Sequence, residues 1–307
     1  MRTRSRVQRN PAGSGKKILV VGGGPAGCEF ALRAKQRGHY VTLWEKESRL
    51  GGQIYMASTP PGKNEFKTLI EFYQTMLAET GVEVMLGKKA TVSEISSGGF
   101  DEVVVATGMK PRLMPVPNDG TAKVTTAYDI LEGNEIAGRR VLVVGGGSVG
   151  CETAQYLANE GAADAQEVFF LLRHAAEKVE KVMNLMNNSR RMVTIADIMA
   201  VGTGFEAGTG WPVMKDLNRL HVDQRPFHVL ERIENGAAVL KNLKDGGTDS
   251  AIPCDTVVLA VGADSERTLA EELQECGLPV HTIGDAKNVG RIMDAIRQAA
   301  ELAKQIC

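Results

Sequence analysis

The feature that most constrains the fold is a glycine-rich motif that occurs twice, each time after a short apolar run. The motif at 22–27 follows the run at 17–21, and the motif at 145–150 follows the run at 140–144. The spaced glycines are Gly22, Gly24, Gly27, Gly145, Gly147 and Gly150. In such a motif the glycines permit a tight turn, backbone approach to a pyrophosphate, and close packing of helix on strand. A helical pattern follows each motif, so the sequence predicts two dinucleotide-binding βαβ units.

The two copies differ at the end of the strand that follows the helix. In the first copy a strand over Tyr40–Trp44 is predicted, and it ends at Glu45, where an acid binds ribose hydroxyls. In the second copy a strand over Val168–Leu172 is predicted, and it ends at Arg173. An arginine in this position can accommodate a 2′-phosphate, which favours NADPH over NADH. A solvated surface arginine is the alternative, so the choice of nucleotide stays open.

The order of the remaining elements predicts the domain organisation. Further strands are expected at 82–86, 102–106, 256–261 and 280–283, with helices at 65–79 and 292–306. Residues 199–221 are glycine-rich and are expected to be mainly loop. The predicted fold is α/β, with two Rossmann-like three-layer dinucleotide-binding domains, the second inserted into the first. The expected segments are a flexible basic tail at 1–15, a first domain at 16–114 and 279–307, and a second domain at 115–278.

Composition excludes several classes of function. The formal net charge of −1 gives no general attraction to nucleic acid or to an anionic membrane. No apolar run reaches the roughly 18 residues of a membrane span, and no secretory signal is present, so we expect a cytoplasmic protein. The five cysteines are scattered without CxxC spacing, which argues against a metal site and against dithiol redox chemistry.

Six segments carry a resemblance to a known family. They are VVGGGPAG at 20–27, LWEK at 43–46, LGGQ at 50–53, VVATG at 104–108, VVGGGSVGCE at 143–152 and TIGDA at 282–286. Their order and spacing resemble those of the two-dinucleotide-domain flavoprotein reductases, which have the pyridine nucleotide-disulfide reductase fold. The resemblance implies that the first domain binds FAD and that the second binds NADPH or NADH.

The resemblance also implies a set of cofactor-binding residues. For FAD these are Gly22, Gly24, Pro25, Ala26, Gly27, Glu45, Lys46, Gly51, Gly52, Gln53, Thr107, Gly108, Asp285, Arg291 and Ile292. For the pyridine nucleotide they are Gly145, Gly147, Ser148, Val149, Gly150, Glu152, Arg173 and Gly262. Asp285 is expected to bind the ribityl chain or pyrophosphate, and the helix that starts near Arg291 to stabilise the reduced flavin. No catalytic side chain and no metal ligand is expected.

A narrower resemblance bears on the electron acceptor. Residues 51–66 and 211–222 are similar to the nucleotide-binding half of the 2,4-dienoyl-CoA reductase, 2-enoate reductase and trimethylamine dehydrogenase group, and Asn10-Pro11 resembles the join before that half. The barrel of that group, with its FMN and iron–sulfur cluster, has no counterpart here. The resemblance therefore implies an FAD-dependent NAD(P)H oxidoreductase that passes electrons to an FMN or iron–sulfur protein. Three alternatives stay open: a self-sufficient reductase of a small acceptor, a non-catalytic nucleotide-binding subunit, and a fragment of a larger reductase.

Overall fold

The computed structural model describes residues 15–244, 247 and 249–306. The expected tail up to residue 14, including Asn10-Pro11, lies outside the described residues. The described residues divide into two compact units: unit 1 contains those up to 58, 64–110 and those from 263 onward, and unit 2 contains those within 59–63 and 111–262. Residues 263–278, which the sequence assigned to the second domain, lie in unit 1.

The chain contains strands alternating with helices, and also runs of consecutive strands and of consecutive helices. Up to residue 159 they are β1 (Lys17–Val21), α1 (Pro25–Gln36), β2 (Tyr40–Trp44), α2 (Ile54–Ala57), α3 (Lys67–Thr80), β3 (Glu83–Met85), α4 (Val92–Ser97), β4 (Glu102–Val105), β5 (Met109–Pro111), β6 (Lys123–Thr126), α5 (Ala127–Glu132), β7 (Arg140–Val144) and α6 (Ser148–Asn159). After residue 159 they are α7 (Ala165–Arg173), α8 (Val179–Asn187), β8 (Met192–Asp197), α9 (Trp211–Arg219), β9 (Asp223–Pro226), β10 (His228–Glu234), β11 (Ala237–Asn242), β12 (Asp249–Pro253), β13 (Thr256–Leu259), β14 (Ala263–Ser265), α10 (Thr268–Glu275), β15 (Val280–Thr282) and α11 (Ile292–Gln305). Within the described residues, no helix combines the length and the apolar character needed to cross a membrane.

Unit 1 is built on a parallel five-stranded sheet with the order β15-β4-β1-β2-β3. The apolar run in β1 is buried on both sides, which is typical of a parallel sheet. Ile18 and Val20 pack in a core with side chains of α1, α3 and α11. Leu19 and Val21 face the opposite side and pack with side chains of α4 and α10. Helices therefore cover both faces and form three layers.

Unit 2 repeats this arrangement with the order β6-β13-β7-β8-β9, again all parallel. Val141 and Val143 of β7 pack with side chains of α5, α6 and α9 on one face. Leu142 and Val144 face the antiparallel sheet β10-β11-β12 on the other. Strand β7 thus occupies the same central place as β1, and the predicted fold of two Rossmann-like domains is confirmed.

The strand predicted over Val168–Leu172 is wrong, because these residues form the middle of helix α7. Asp164 begins the helix with a capping box: its carboxylate accepts from the backbone amide of Glu167, and the Glu167 carboxylate accepts from the amide of Asp164. A short apolar run fits a strand or a helix equally well, and here the cap decides for the helix. Strand β8, which ends at Asp197, lies beside β7 instead.

The segment 199–221 is also more regular than expected. Helix α9 occupies Trp211–Arg219 and begins with proline in its first turn, a position where the missing amide hydrogen of proline costs nothing. Val213 and Leu217 of this helix are buried in the core of unit 2. The loop is therefore confined to the residues between β8 and α9.

Candidate dinucleotide-binding sites

The first glycine loop has the geometry that the spacing of its glycines predicted. Gly22 has a φ of +110°, and a Cβ built there would overlap the carbonyl oxygen of Ala106. A Cβ on Gly27 would overlap the carbonyl oxygen of Gly22, so α1 packs as closely as possible against the turn. A Cβ on Gly24 would meet no atom within 4 Å, because the space in front of the helix is open.

The second glycine loop has the same geometry in unit 2. Gly145 has a φ of +106°, and its Cβ would overlap the carbonyl oxygen of Ala260. A Cβ on Gly150 would overlap the carbonyl oxygen of Gly145, whereas one on Gly147 would meet no atom within 4 Å. Each loop therefore combines a closed turn with an open cradle before a helix.

Both helices offer free backbone donors to that open space. Helix α1 begins at Pro25 after Gly24, and α6 begins at Ser148 after Gly147. Neither helix has a side-chain cap or an acidic residue in its first turn. Their first amides and the positive end of the helix dipole are thus available to phosphate oxygens. The residues fit a dinucleotide pyrophosphate at both loops.

A carboxylate holds the middle of each glycine loop. Glu45, which is buried at the end of β2, accepts from the amide of Gly23 at 2.5 Å through Oε2. Asp197, the last residue of β8, accepts from the amide of Gly146 at 2.5 Å through Oδ2. In both cases the second carboxylate oxygen accepts from the backbone amide two residues further on. The two acids are structural equivalents.

The sequence interpretation placed Arg173 at the position that Asp197 occupies. Arg173 lies instead at the C-terminal end of α7, where its side chain is exposed and its guanidinium lies 5.7 Å from the ring centre of Phe169. The basis for a contact with a 2′-phosphate is therefore wrong. The sequence does contain a signal for this acid. The apolar run over 192–197 ends in an aspartate, just as the apolar run of β2 is followed directly by Glu45.

Several residues predicted to bind FAD come together beside the first loop. The amide of Gly51 donates to the carbonyl of Gly23 at 2.8 Å. A Cβ on Gly52 would lie 3.2 Å from the Cα of Gly24. Gln53 directly precedes the short helix α2, and the segment 50–53 forms one wall of the open cradle.

The segment before α11 also approaches the first loop. A Cβ on Gly284 would lie 2.8 Å from the Cβ of Ala26, so this turn packs against the start of α1. The neighbouring Asp285 carboxylate accepts from the amide of Gly290 at 2.9 Å, and burial raises the pKa of its carboxyl group. Arg291 is the residue that precedes α11, and Ile292 is its first residue.

Other predicted site residues have partners of their own. Lys46 is exposed, and the Thr107 hydroxyl donates to a backbone carbonyl at 2.8 Å. Glu152 forms an ion pair with Lys63 within unit 2. The carbonyl of Gly262 accepts from a backbone amide at 3.0 Å.

Two cysteines occupy matching positions behind the loops. Cys28 Sγ donates to the carbonyl of Gly23 at 3.2 Å, and Cys151 Sγ donates to the carbonyl of Gly146 at 3.3 Å. Burial raises the pKa of Cys28 far above its ordinary value and that of Cys151 to about 12. The thiolate is the reactive form of cysteine, so both residues are suited to packing and not to redox work.

We expect thiol reagents to distinguish these cysteines from an exposed one. Cys276 is exposed and free, whereas Cys28 and Cys151 are buried. With iodoacetamide at pH 8, peptide mapping of the native protein should show Cys276 modified and both Cys28 and Cys151 protected. Labelling in denaturant should modify all three. Rapid modification of Cys28 in the native protein would contradict the assignment.

A comparison with family models identifies the fold. The model for the pyridine nucleotide-disulphide oxidoreductases matches residues 16–288, which include both glycine loops. The chain belongs to this family. Membership agrees with the paired loops and with the insertion of one dinucleotide domain into the other.

Curated relatives extend the family assignment. A metal reductase of Desulforamulus reducens is 38% identical over 295 residues, which cover 94% of this chain and 44% of the relative. An NADH oxidase of Thermoanaerobacter brockii is 34% identical over 299 residues, which cover 95% of this chain and 41% of the relative. The chain therefore spans less than half the length of these relatives.

A solved structure gives the same result. The 2-naphthoyl-CoA reductase complex superposes with a TM-score of 0.80 at 26% identity, covering 97% of this chain and 41% of that one. The resemblance to the nucleotide-binding half of larger reductases is confirmed. The family model covers both glycine loops, and the relatives and this structure match the chain over nearly its whole length.

Proposed function

We propose that unit 1 binds FAD, that unit 2 binds NADH, and that the chain passes electrons from NADH through FAD to a redox protein carrying FMN or an iron–sulfur cluster. The observation that carries this proposal is the pair of equivalent carboxylates, Glu45 and Asp197, each bonded to the middle of an open glycine loop. Two such loops in one chain suit electron transfer between two nucleotides.

The assignment of FAD to unit 1 is supported by residues from distant parts of its sequence. The segment Gly51–Gln53 and the turn at Gly284–Asp285 both lie beside the first loop. Such convergent walls suit a ligand longer than one nucleotide. Helix α11 would point the positive end of its dipole at the flavin and stabilise negative charge on its reduced form.

The assignment of NADH to unit 2 is supported by the charge of Asp197. An acid at the end of this strand binds the ribose 2′-hydroxyl and repels a 2′-phosphate. With one carboxylate oxygen bonded to Gly146, the other faces the amide of Met199, and this orientation fixes the group beside the loop. The name of one relative, NADH oxidase, is consistent with this choice.

The protein would contribute binding and orientation to the reaction. A bound flavin supplies hydride acceptance and one-electron transfer onward. The first amides of α1 and α6 would bind the pyrophosphates, and the two carboxylates would fix the riboses. Positioning of this kind is the usual contribution of a protein to cofactor chemistry.

The choice of a protein as the electron acceptor is supported by the relatives. They are more than twice as long as the matched region, and one of them is named a metal reductase. A redox protein or domain outside this chain would then carry the electrons to the final substrate. A small acceptor reduced without a partner is the alternative that the experiment separates.

An anaerobic visible spectrum of the purified protein tests the proposal. We expect a bound flavin whose absorption bleaches within seconds of adding NADH and much more slowly with NADPH. Dye reduction without a partner at a rate equal to flavin reduction would favour the self-sufficient reductase. A flavin that neither nucleotide bleaches would favour a non-catalytic subunit, and a protein unable to bind FAD would refute the assignment of unit 1.

A further inference from the structure

The segment Val201–Phe205 lies directly on the second glycine loop. The amide of Gly202 donates to the carbonyl of Gly146 at 2.7 Å. A Cβ built on Gly204 would lie 2.6 Å from the amide nitrogen of Ser148, the first residue of α6. The backbone of this segment therefore lies beside the amides that would bind a pyrophosphate.

Unit 1 contains the same arrangement. The amide of Gly51 donates to Gly23 as that of Gly202 does to Gly146, and both donors have positive φ, +121° and +90°. A Cβ on Gly52 would approach the first loop, as a Cβ on Gly204 would approach the second. The segment after β8 is thus the counterpart of the segment after β2.

Apolar side chains hold the segment in place. Val201 and Phe205 pack against the core of unit 2 on either side of it. Gly202 lies close to Met214, because a Cβ there would be 3.0 Å from its sulfur. Thr203 and Gly204, by contrast, are exposed. The two ends are anchored, and between them Gly204 lies against Gly147 and Ser148 at the start of α6.

We propose that Gly202–Gly204 form the second wall of the pyridine-nucleotide site and contact its pyrophosphate, with Gly204 kept free of a side chain so that the phosphate can reach the amide of Ser148. This inference rests on the proposed binding of NADH by unit 2. A methyl group at residue 204 would fill the approach to that amide. An exposed hydroxyl at Thr203 adds a donor on the same wall.

ADP-ribose tests the wall, because it carries the pyrophosphate and cannot reduce the flavin. Titration calorimetry of the FAD-loaded protein should give a dissociation constant for Gly204→Ala that is roughly tenfold or more above that of the unchanged protein. The FAD content of the variant should not change, since residue 204 belongs to unit 2.

A matched pair at Thr203 tests the wall without crowding it. Thr203→Asp places a negative charge beside the pyrophosphate and should weaken ADP-ribose binding, by a factor that shrinks as salt is added. Thr203→Asn has the same shape without the charge and should bind clearly better than Thr203→Asp. Equal binding by the two variants would show that residue 203 does not face the phosphates.

The outcomes separate this inference from the proposed function. If the unchanged protein binds no ADP-ribose and NADH does not bleach its flavin, both proposals fail together. If it binds ADP-ribose and Gly204→Ala binds equally well, only the wall is refuted. Tighter binding by Gly204→Ala would also refute it, because the segment would then obstruct the site.

Discussion

Replacing Gly27 by alanine is expected to abolish FAD binding and to destabilise unit 1. The new Cβ would overlap the carbonyl oxygen of Gly22, and the backbone of both residues is held by the β1–α1 turn. Relief requires α1 to move away from the sheet, where Cys28 and Phe30 are buried. We expect a loss of about 3 kcal/mol in the free energy of unfolding. Thermal unfolding followed by circular dichroism measures this loss.

Gly24→Ala is the matched control, because it is the same change three residues earlier. A Cβ at Gly24 would meet no protein atom within 4 Å, and its φ of −74° suits alanine. This variant should therefore fold normally and still bind FAD weakly, because the methyl group occupies space intended for the pyrophosphate. Both variants should be compared as apoproteins, since bound FAD itself raises Tm.

The contrast between the two glycine variants tests both the packing of α1 on the turn and the position of the phosphate site. If Gly27→Ala keeps both its Tm and its FAD, the close packing of α1 on the turn is refuted. If Gly24→Ala binds FAD with unchanged affinity, the open space before α1 is not the phosphate site. The same contrast is expected between Gly150 and Gly147 in unit 2, with the pyridine nucleotide as the ligand.

The central strands could be predicted from the sequence because their physical signals are local. Strands β1, β2 and β7 have the bounds that the apolar runs predicted. Each run is short and ends at glycine or at a polar residue, so no helix of ordinary length fits. The glycine loops were predictable for the same reason, since each glycine answers a steric demand within the motif.

Helix α7 could not be predicted from apolar character alone. Its residues Val168–Leu172 form as continuous an apolar run as a buried strand would, yet no residue of the helix is buried. The local evidence against a strand was the pair Asp164 and Glu167, which begins helices by capping. Because that capping pair indicates a helix over the apolar run, the strand of the second unit would then have been predicted at 192–197.

The wall at Gly202–Gly204 could not be predicted from the sequence, because it depends on contacts between residues that are distant in sequence. Gly202 meets Gly146 only after α6, α7, α8 and β8 have returned the chain to the loop. The correspondence between Gly202 and Gly51 can be recognised only after Asp197 has been identified as the structural equivalent of Glu45. One error in assigning a strand therefore hid both the acid and the segment that follows it.

Replacing Asp197 by asparagine is expected to remove most of the preference for NADH over NADPH. The unchanged protein should favour NADH, because the carboxylate binds the ribose hydroxyls and repels a 2′-phosphate. Asparagine keeps one oxygen that can accept from the amide of Gly146, while its NH2 group replaces the oxygen that accepts from the amide of Met199. Losing a hydrogen bond to a charged group costs about 1.5–3 kcal/mol, which corresponds to roughly 10- to 100-fold in kcat/KM for NADH.

Arg173→Ala is the control that separates the two interpretations of the second site. Arg173 is exposed at the end of α7, so its removal should leave kcat/KM unchanged for both nucleotides. Stopped-flow reduction of the bound flavin gives these values for each variant. Arg173→Ala could instead lower kcat/KM for NADPH alone while Asp197→Asn leaves kcat/KM unchanged for both nucleotides. In that case the arginine, and not the aspartate, contacts the ribose or its 2′-phosphate. That result would mean that a residue of α7 determines the preference between NADH and NADPH, and it would contradict the functional equivalence of Asp197 with Glu45.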